Sequence, residues 1–223
     1  MSVRPADARS VLHEQFARIG KAVASPRRIE LLELLCQGER SVDALARATG
    51  MAVTNVSQHL QVLKAARLVG ARRAGTRIYY RAADDQVCRF TAELGAVARA
   101  RLIEVERIAR EHLEGSDTLE PLTRGELLER LRRRDAVVID VRPREEYRTG
   151  HISGAVSIPL DDLRRGLRAL PKSKLIVAYC RGPFCILAPQ ALALLQARGF
   201  RARRLEDGFP EWRAAGLPIA SGS

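Results

Sequence analysis

The chain has 223 residues, enough for one large domain or two small ones, and its hydrophobic fraction of 46% argues against a disordered protein. Lysine and arginine outnumber aspartate and glutamate by 38 to 26, and this net charge of +12 favours an anionic partner. Residues 1–20 carry charges throughout, and no apolar run approaches the roughly 18 residues of a membrane span. We therefore expect a cytoplasmic protein that does not contact a membrane.

Four helices and a hairpin are predicted in the first part of the chain. Apolar residues recur with helical periodicity over residues 12–23, 26–37, 42–49 and 54–68. Gly38 and Gly50 stand where the second and third helices are expected to end. The pattern then changes to alternation in residues 69–73 and 77–81, which predicts two strands around a turn at Gly75. This order of elements is typical of a winged helix-turn-helix, a mainly-α fold with a β-hairpin wing.

A basic region covers the fourth helix and the hairpin, because no acidic residue stands between Asp43 and Asp84. Such a region suits a polyanion, whose condensed counterions are released on binding. The fourth helix offers side chains that read base edges in a major groove, namely Thr54, Asn55, Ser57, Gln58, His59 and Gln61. Four cations are placed to contact phosphate or a minor groove, namely Lys64, Arg72, Arg73 and Arg77. Double-stranded DNA is the predicted partner.

A single helix of about 28 residues is predicted from residue 86 to residue 113 by its apolar periodicity. Its apolar face resembles the contact stripe between the two helices of a coiled coil. We therefore expect a dimerisation helix and a homodimer. A helix packed on its own domain is the alternative. Gly115–Asp117 is interpreted as a linker, which divides the chain into a DNA-binding and dimerisation domain, residues 1–116, and a second domain, residues 117–223.

The second domain is predicted to be α/β. Strands are expected in residues 136–141, 155–158, 175–179 and 202–205. Two of these are near-continuous apolar runs, as in strands that are buried on both faces. Helices are expected over residues 126–132 and 189–197. This alternation predicts a parallel sheet covered by helices.

A cysteine loop follows the third of these strands, and the carboxyl ends of such strands are where open α/β sheets place their sites. Cys180 opens this loop. The amides of Arg181, Gly182, Phe184 and Ile186 are expected to surround its sulfur and, with the next helix N-terminus, to lower its pKa. Cys180 is therefore the predicted nucleophile.

Three further residues are assigned to the same site. Asp140 and Arg142, at the end of the first strand, are expected to support the loop by hydrogen bonds. Cys185 lies five residues after Cys180 and has two interpretations: a resolving thiol that attacks an oxidised Cys180, or a small residue that packs the loop.

The other two cysteines, Cys36 and Cys88, show no spacing that assembles a metal site. In a reducing compartment structural disulfides are rare, so we expect both to be small buried apolar residues. No metal and no cofactor are predicted.

The first half of the chain resembles the ArsR family of small dimeric repressors over roughly residues 10–110. The resemblance is carried by Ser41–Ala46 (SVDALA), Val56–Leu63 (VSQHLQVL) and Gly75–Tyr80 (GTRIYY). It implies a homodimer that binds an inverted-repeat operator and leaves it when an inducer binds. Many relatives sense metals through cysteines on the helix before the recognition helix, but residues 42–49 contain no cysteine or histidine.

The second half resembles the rhodanese domain from about residue 119 onward. The resemblance is carried by the strings VIDVRP (138–143), EEY (145–147), GHISGA (150–155), IPL (158–160), the Cys180 loop and DGFPEW (207–212). It implies that Cys180 takes a sulfane sulfur from a small donor and yields it to a thiol acceptor. Related phosphatase folds need an arginine six positions after the cysteine, and the isoleucine at position 186 disfavours that activity.

The leading hypothesis from the sequence is a transcriptional regulator that senses reactive sulfur or oxidants through Cys180. A sulfurtransferase with ancillary DNA binding is one alternative. A metal-responsive repressor is the other.

Overall fold

The computed structural model describes residues 5–109, 111 and 120–222, and the chain divides into two compact units, Met1–Thr91 and Ala92–Ser223. None of the described helices is long and apolar enough to cross a membrane.

The first unit contains the four predicted helices, α1 (Pro5–Val23), α2 (Pro26–Gln37), α3 (Val42–Thr49) and α4 (Val53–Ala65). Ser41 caps α3, since its hydroxyl accepts the Ala44 amide at 3.2 Å. Gly50 ends α3 in the left-handed region (φ 67°), where a glycine meets no Cβ penalty. The helices pack around a core of fully buried side chains that includes Leu31, Leu32, Leu45, Val56, Leu60 and Leu63.

The wing is a three-stranded antiparallel sheet in the order β1–β3–β2. Strands β2 (Val69–Ala74) and β3 (Arg77–Ala82) form the predicted hairpin. The third strand, β1 (Arg40–Ser41), was not predicted and pairs with Tyr79 and Tyr80 of β3. The winged helix-turn-helix predicted from the sequence is confirmed.

The prediction of one continuous helix over residues 86–113 was wrong. Helix α5 (Asp85–Arg101) ends before Leu102, whose backbone is extended (φ −109°, ψ 109°), and α6 (Ile103–Ile108) begins after it. An ion pair spans the break, Arg99 Nε to Glu106 Oε2 at 2.7 Å. The end of the predicted helix and the predicted linker fall largely outside the described residues.

The expectation for Cys36 and Cys88 was right about burial and wrong about bonding. Both side chains are buried, at 3% and 4% exposure. They are joined in a disulfide with a Cα–Cα distance of 5.6 Å, although 52 residues separate them in sequence. Packing of the end of α2 against the start of α5 brings them together.

The second unit is built on a four-stranded sheet in the order β6–β4–β7–β8, whose pairings are all parallel. The strands are β4 (Ala136–Asp140), β6 (Val156–Ser157), β7 (Leu175–Tyr179) and β8 (Ala202–Arg204). All five residues of β7 are buried, as its apolar run predicted. The predicted α/β domain with a parallel sheet is confirmed.

Helices cover this sheet. They are α7 (Arg124–Arg133), α8 (Arg144–Thr149), α9 (Leu163–Gly166), α10 (Leu187–Gln196) and α11 (Phe209–Ala214). Thr123 and Glu126 form a capping box at the start of α7. The last strand of the unit, β9 (Ile219–Ala220), forms a separate antiparallel pair with β5 (His151–Ile152). These two strands and the helices α8, α9 and α11 were not predicted.

Candidate functional site

The cysteine loop lies at the carboxyl end of the parallel sheet. Cys180 follows the last residue of β7 directly, and the loop of residues 180–186 leads into α10. Neighbouring strand β4 ends at Asp140, which pairs in register with Tyr179. The sheet therefore places the loop and the predicted supporting residues at one edge.

The two cysteines of the loop lie next to each other. Cys180 is buried, and its Sγ also contacts the carbonyl oxygens of Cys185 at 3.7 Å and of Gly182 at 3.8 Å. The Cys185 amide donates to the Gly182 carbonyl at 3.1 Å, so a tight turn forms between the cysteines. Spacing in the sequence left this proximity open, and the fold provides it.

The loop amides are divided between the two sulfur atoms. Those of Gly182 and Ala188 act to lower the pKa of Cys180, and those of Arg181 and Leu187 act to lower the pKa of Cys185. The amides of Phe184 and Ile186, which the sequence analysis placed in the same ring, are not among these donors.

The two thiols differ in acidity in the direction opposite to our expectation. Burial raises the pKa of the Cys180 thiol well above its usual value, and the amides do not offset it. The hydrogen bond from Cys180, together with the amide donors and the Arg181 cation, lowers the pKa of Cys185 to about 7. Of the two thiols, that of Cys185 is therefore the more readily ionised near neutral pH.

Arg181 is held by a buried carboxylate. Its Nε lies 3.1 and 3.2 Å from the two carboxylate oxygens of Glu146, and its Nη2 lies 2.7 Å from Oε1. The Glu146 side chain is 1% exposed and comes from α8. This two-point contact orients the guanidinium beside the loop, because the planar fork matches a carboxylate.

Gly208 allows a second segment to approach the loop. A Cβ at this position would stand 2.3 Å from the backbone carbon of Arg181, so no other residue fits there without displacing the loop. The next amide, that of Phe209, donates to the Cys180 carbonyl at 3.1 Å. Glu211 accepts the Gly208 amide at 3.0 Å and so holds the turn.

Asp140 and Arg142 form a fully buried ion pair below the loop. Arg142 Nη2 donates to Asp140 Oδ2 at 2.6 Å, and to the Gly150 carbonyl at 2.8 Å. The Tyr179 hydroxyl donates to the same carboxylate at 2.5 Å and accepts the Ile152 amide at 3.1 Å. The pair has no exposed surface, so it supports the strand ends rather than meeting a ligand.

The predicted DNA-contact residues lie on α4 and the wing, and most of them are exposed. Exposed members are Thr54, Asn55, Gln58, Gln61, Lys64, Arg72, Arg73 and Arg77, whereas Ser57 and His59 are partly buried. Three of them already have protein partners. Gln61 donates to the Tyr80 hydroxyl at 3.3 Å, Arg73 Nε donates to the Gly75 carbonyl at 3.1 Å, and Arg72 makes a two-point contact with the Glu39 carboxylate. Because that carboxylate neutralises the charge of Arg72, Arg73 and Arg77 are better placed for phosphate.

Sequence reasoning missed three residues around the cysteine loop. Glu146, Gly208 and Glu211 were quoted only within family strings, and no role was assigned to them. One available signal was the glycine three residues after a predicted strand, since glycine permits close backbone approach. The contact of Glu146 depends on tertiary packing and leaves no local pattern, whereas Glu211 stands at the capping-box spacing of three residues after Gly208.

Comparison with known proteins identifies both halves. Residues 25–70 match the family described as bacterial regulatory protein, arsR family, and residues 123–215 match the rhodanese-like domain. The HTH-type transcriptional regulator Rv0324 of Mycobacterium tuberculosis is 46% identical over 217 residues, which are 97% of this chain and 95% of that protein.

A solved structure is also similar to the first half. It is the homodimeric winged helix-turn-helix domain (fragment 1–100) of a possible ArsR-family regulator from Mycobacterium bovis. It is 49% identical, covers 46% of this chain and 94% of its own, and has a TM-score of 0.42.

Proposed function

The chain belongs to the ArsR family of transcriptional regulators and carries a rhodanese-like domain after its helix-turn-helix, and from this premise we propose that it regulates transcription in response to reactive sulfur species or oxidants that modify Cys180. The observation that carries the proposal is the Cys180–Cys185 thiol pair at the end of β7, in one chain with a basic DNA-reading surface. We also propose that the boundary between the DNA-binding domain and the rhodanese-like domain lies between residues 116 and 117.

The proposed chemistry begins with a proton transfer inside the loop. Cys185 accepts the Cys180 proton, and the Cys180 thiolate that results is stabilised by the amides of Gly182 and Ala188. The thiolate attacks the outer sulfur of a persulfide R–S–SH, the S–S bond breaks, and R–S⁻ leaves, so Cys180 becomes Cys180–S–SH. Cys185 then attacks Cys180 Sγ, HS⁻ leaves, and a Cys180–Cys185 disulfide forms. Two small thiols then restore the reduced loop: the first attacks the disulfide and forms a mixed disulfide with one cysteine, and the second attacks that bond, frees the cysteine and leaves as the small disulfide.

The proposed DNA complex is a homodimer on an inverted repeat. Large apolar side chains are exposed on α1, with Leu12 at 54% and Phe16 at 66%, and on α5, with Val97 at 56%. Exposed apolar surface of this kind marks an association site, and the similar Mycobacterium bovis domain is homodimeric. A two-fold dimer would place two copies of α4 in successive major grooves.

The proposal is tested by the effect of a persulfide donor on DNA binding. We expect the donor to change the affinity of the full chain for a duplex of its own promoter by at least about fivefold, the lower end of common allosteric couplings. The Cys180→Ser chain should show no change. Affinity is measured by fluorescence anisotropy, with glutathione in place of the donor as the control.

The outcomes separate the candidate functions. An affinity that the donor leaves unchanged in the unsubstituted chain overturns the sensor. If that chain nevertheless turns over a sulfur donor and Cys180→Ser does not, the function is that of a sulfurtransferase with ancillary DNA binding.

A second prediction concerns the wing. Arg73→Ala and Arg77→Ala should each weaken binding to promoter and random-sequence duplexes alike, and reduce the slope of log K against log salt by about 1, because each removes one phosphate contact. Arg198→Ala is the matched control, an exposed arginine of the second unit. Unchanged slopes in both wing variants would place the phosphate contacts elsewhere.

A further inference from the structure

We propose that Phe184, whose ring lies against Gly95 of α5, passes the state of the cysteine loop to that helix. The inference deepens the proposed function and rests on it, because it assigns the contact by which modification of Cys180 acts on the helix that follows the wing. Gly95 and Phe184 both belong to the second unit, Ala92–Ser223.

Phe184 lies in the middle of the cysteine loop, in a four-residue turn. The turn runs from Gly182 to Cys185, and the Cys185 amide closes it by donating to the Gly182 carbonyl at 3.1 Å. Pro183 occupies the second position, which proline favours because its ring fixes φ. This stiff turn ties the position of the Phe184 ring to that of Cys185, the next residue.

The ring of Phe184 occupies a space that glycine leaves open on α5. A Cβ at position 95 would stand 2.7 Å from Phe184 Cε2 and 3.3 Å from Cδ2, which is closer than ordinary van der Waals contact. The edge of the ring therefore packs directly on the backbone of the helix. Glycine in the middle of a helix lowers its stability relative to alanine, so at this position the contact is retained at the expense of helix propensity.

Helix α5 is continuous from the first unit to Gly95. Its first turn is fixed by Asp84, which accepts the amide of the buried Val87 at 3.0 Å. The hydroxyl of Thr91, also buried, donates to the Val87 carbonyl at 2.9 Å. Gly95 stands four residues after Thr91 and so lies on the same face of the helix. A displacement at Gly95 is therefore carried over about 12 Å of one helix to Val87 in the core of the first unit.

Oxidation of the loop requires this turn to move. Cys180 and Cys185 are free thiols in the structure, and the disulfide formed in the proposed chemistry needs their sulfur atoms about 2.05 Å apart. Cys180 is held at the end of the buried strand β7, so closure of the bond draws Cys185 toward it. Phe184 moves with Cys185 and leaves its place on Gly95. Because packed elements exchange discrete arrangements rather than deform gradually, loss of the contact shifts α5.

The experiment removes the ring and keeps both thiols. The full chain and its Phe184→Ala variant are treated with glutathione persulfide, or with glutathione as the control. Alkylation and mass spectrometry quantify the loop disulfide, and fluorescence anisotropy on the promoter duplex gives the affinity. In Phe184→Ala the disulfide should form as before, while the change in affinity falls from at least about fivefold to below about twofold. Ile219→Ala, at an apolar residue of the same unit that is 46% exposed, is the matched control and should keep the full change.

Gly95→Ala tests the contact from the side of the helix. Alanine suits a helix, and its methyl group displaces the ring while the sequence of the loop stays intact. The affinity change should fall as it does in Phe184→Ala. Combining the two substitutions should lower it no further, because both remove the same contact.

The outcomes distinguish this inference from the proposed function. Equal affinity changes in the unsubstituted chain and in both variants overturn the inference and leave the sensor standing. Loss of the loop disulfide together with the response in both variants also overturns it, because the ring would then serve the chemistry and not its transmission. An unsubstituted chain that forms the loop disulfide without any change in affinity overturns the proposed function, and this inference with it.

Discussion

Replacing Cys180 with serine is expected to abolish sulfur loading of the chain. Shortly after a persulfide donor is added, before Cys185 resolves the persulfide, the peptide that contains residues 180–185 should gain one sulfur atom in the unsubstituted chain and none in Cys180→Ser. The reason is that a serine hydroxyl stays protonated near pH 7 and cannot attack a sulfane sulfur, whereas the thiolate can. Mass spectrometry of the digested protein measures the added mass.

Cys185→Ser is the matched control for this experiment. It removes the other thiol of the pair, and with it the resolving step, so the added sulfur on Cys180 should persist rather than convert to a disulfide. Because Cys185 also accepts the Cys180 proton in the proposed chemistry, loading of this variant should be slower and shift to higher pH. Equal loading of Cys180→Ser and the unsubstituted chain would place the reactive thiol elsewhere.

Strands and helices were predictable where the element is long enough to show a periodic or continuous pattern of apolar residues. The apolar runs at residues 136–139 and 175–178 identified the two central strands, since a parallel strand is buried on both faces. Helices of eight or more residues in the first unit were located by periodicity and by their glycine stops. Strands β1, β5 and β9 were missed because two residues cannot display an alternation, and each exists only through its partner strand.

The break at Leu102 escaped prediction for a related reason. Interrupting a helix by one residue barely changes the spacing of its apolar positions, so the period continues across the break. The Cys36–Cys88 bond was out of reach because spacing rules describe local motifs, whereas this pair depends on how two distant helix ends pack.

The cysteine loop was located from the sequence, but its charge distribution was not. The strand-to-helix position of Cys180 follows from the apolar run before it. Sequence reasoning counted the amides that stabilise a thiolate and could not count the burial that opposes it. It also left open whether Cys185 approaches Cys180, and the turn between Gly182 and Cys185 decides that question.

The support beneath the loop leads to the second large prediction, that Arg142→Ala destabilises the second unit by about 3–5 kcal/mol. Removal of Arg142 leaves the carboxylate of Asp140 buried without its cation, and an uncompensated buried charge costs this much. It also takes away the donor to the Gly150 carbonyl. Equilibrium unfolding in urea measures the change through the fluorescence of Trp212, the single tryptophan, which is buried in this unit.

Arg144→Ala provides the control, because Arg144 pairs with Asp162 at 3.0 Å but is 57% exposed. An exposed pair of this kind contributes about 0–1 kcal/mol, so its urea midpoint should stay close to that of the unsubstituted chain. Equal midpoints for Arg142→Ala and Arg144→Ala would contradict a supporting role for the buried pair. A large shift in Arg142→Ala alone would mean that the strand ends which carry the cysteine loop depend on a charge pair that no ligand can reach.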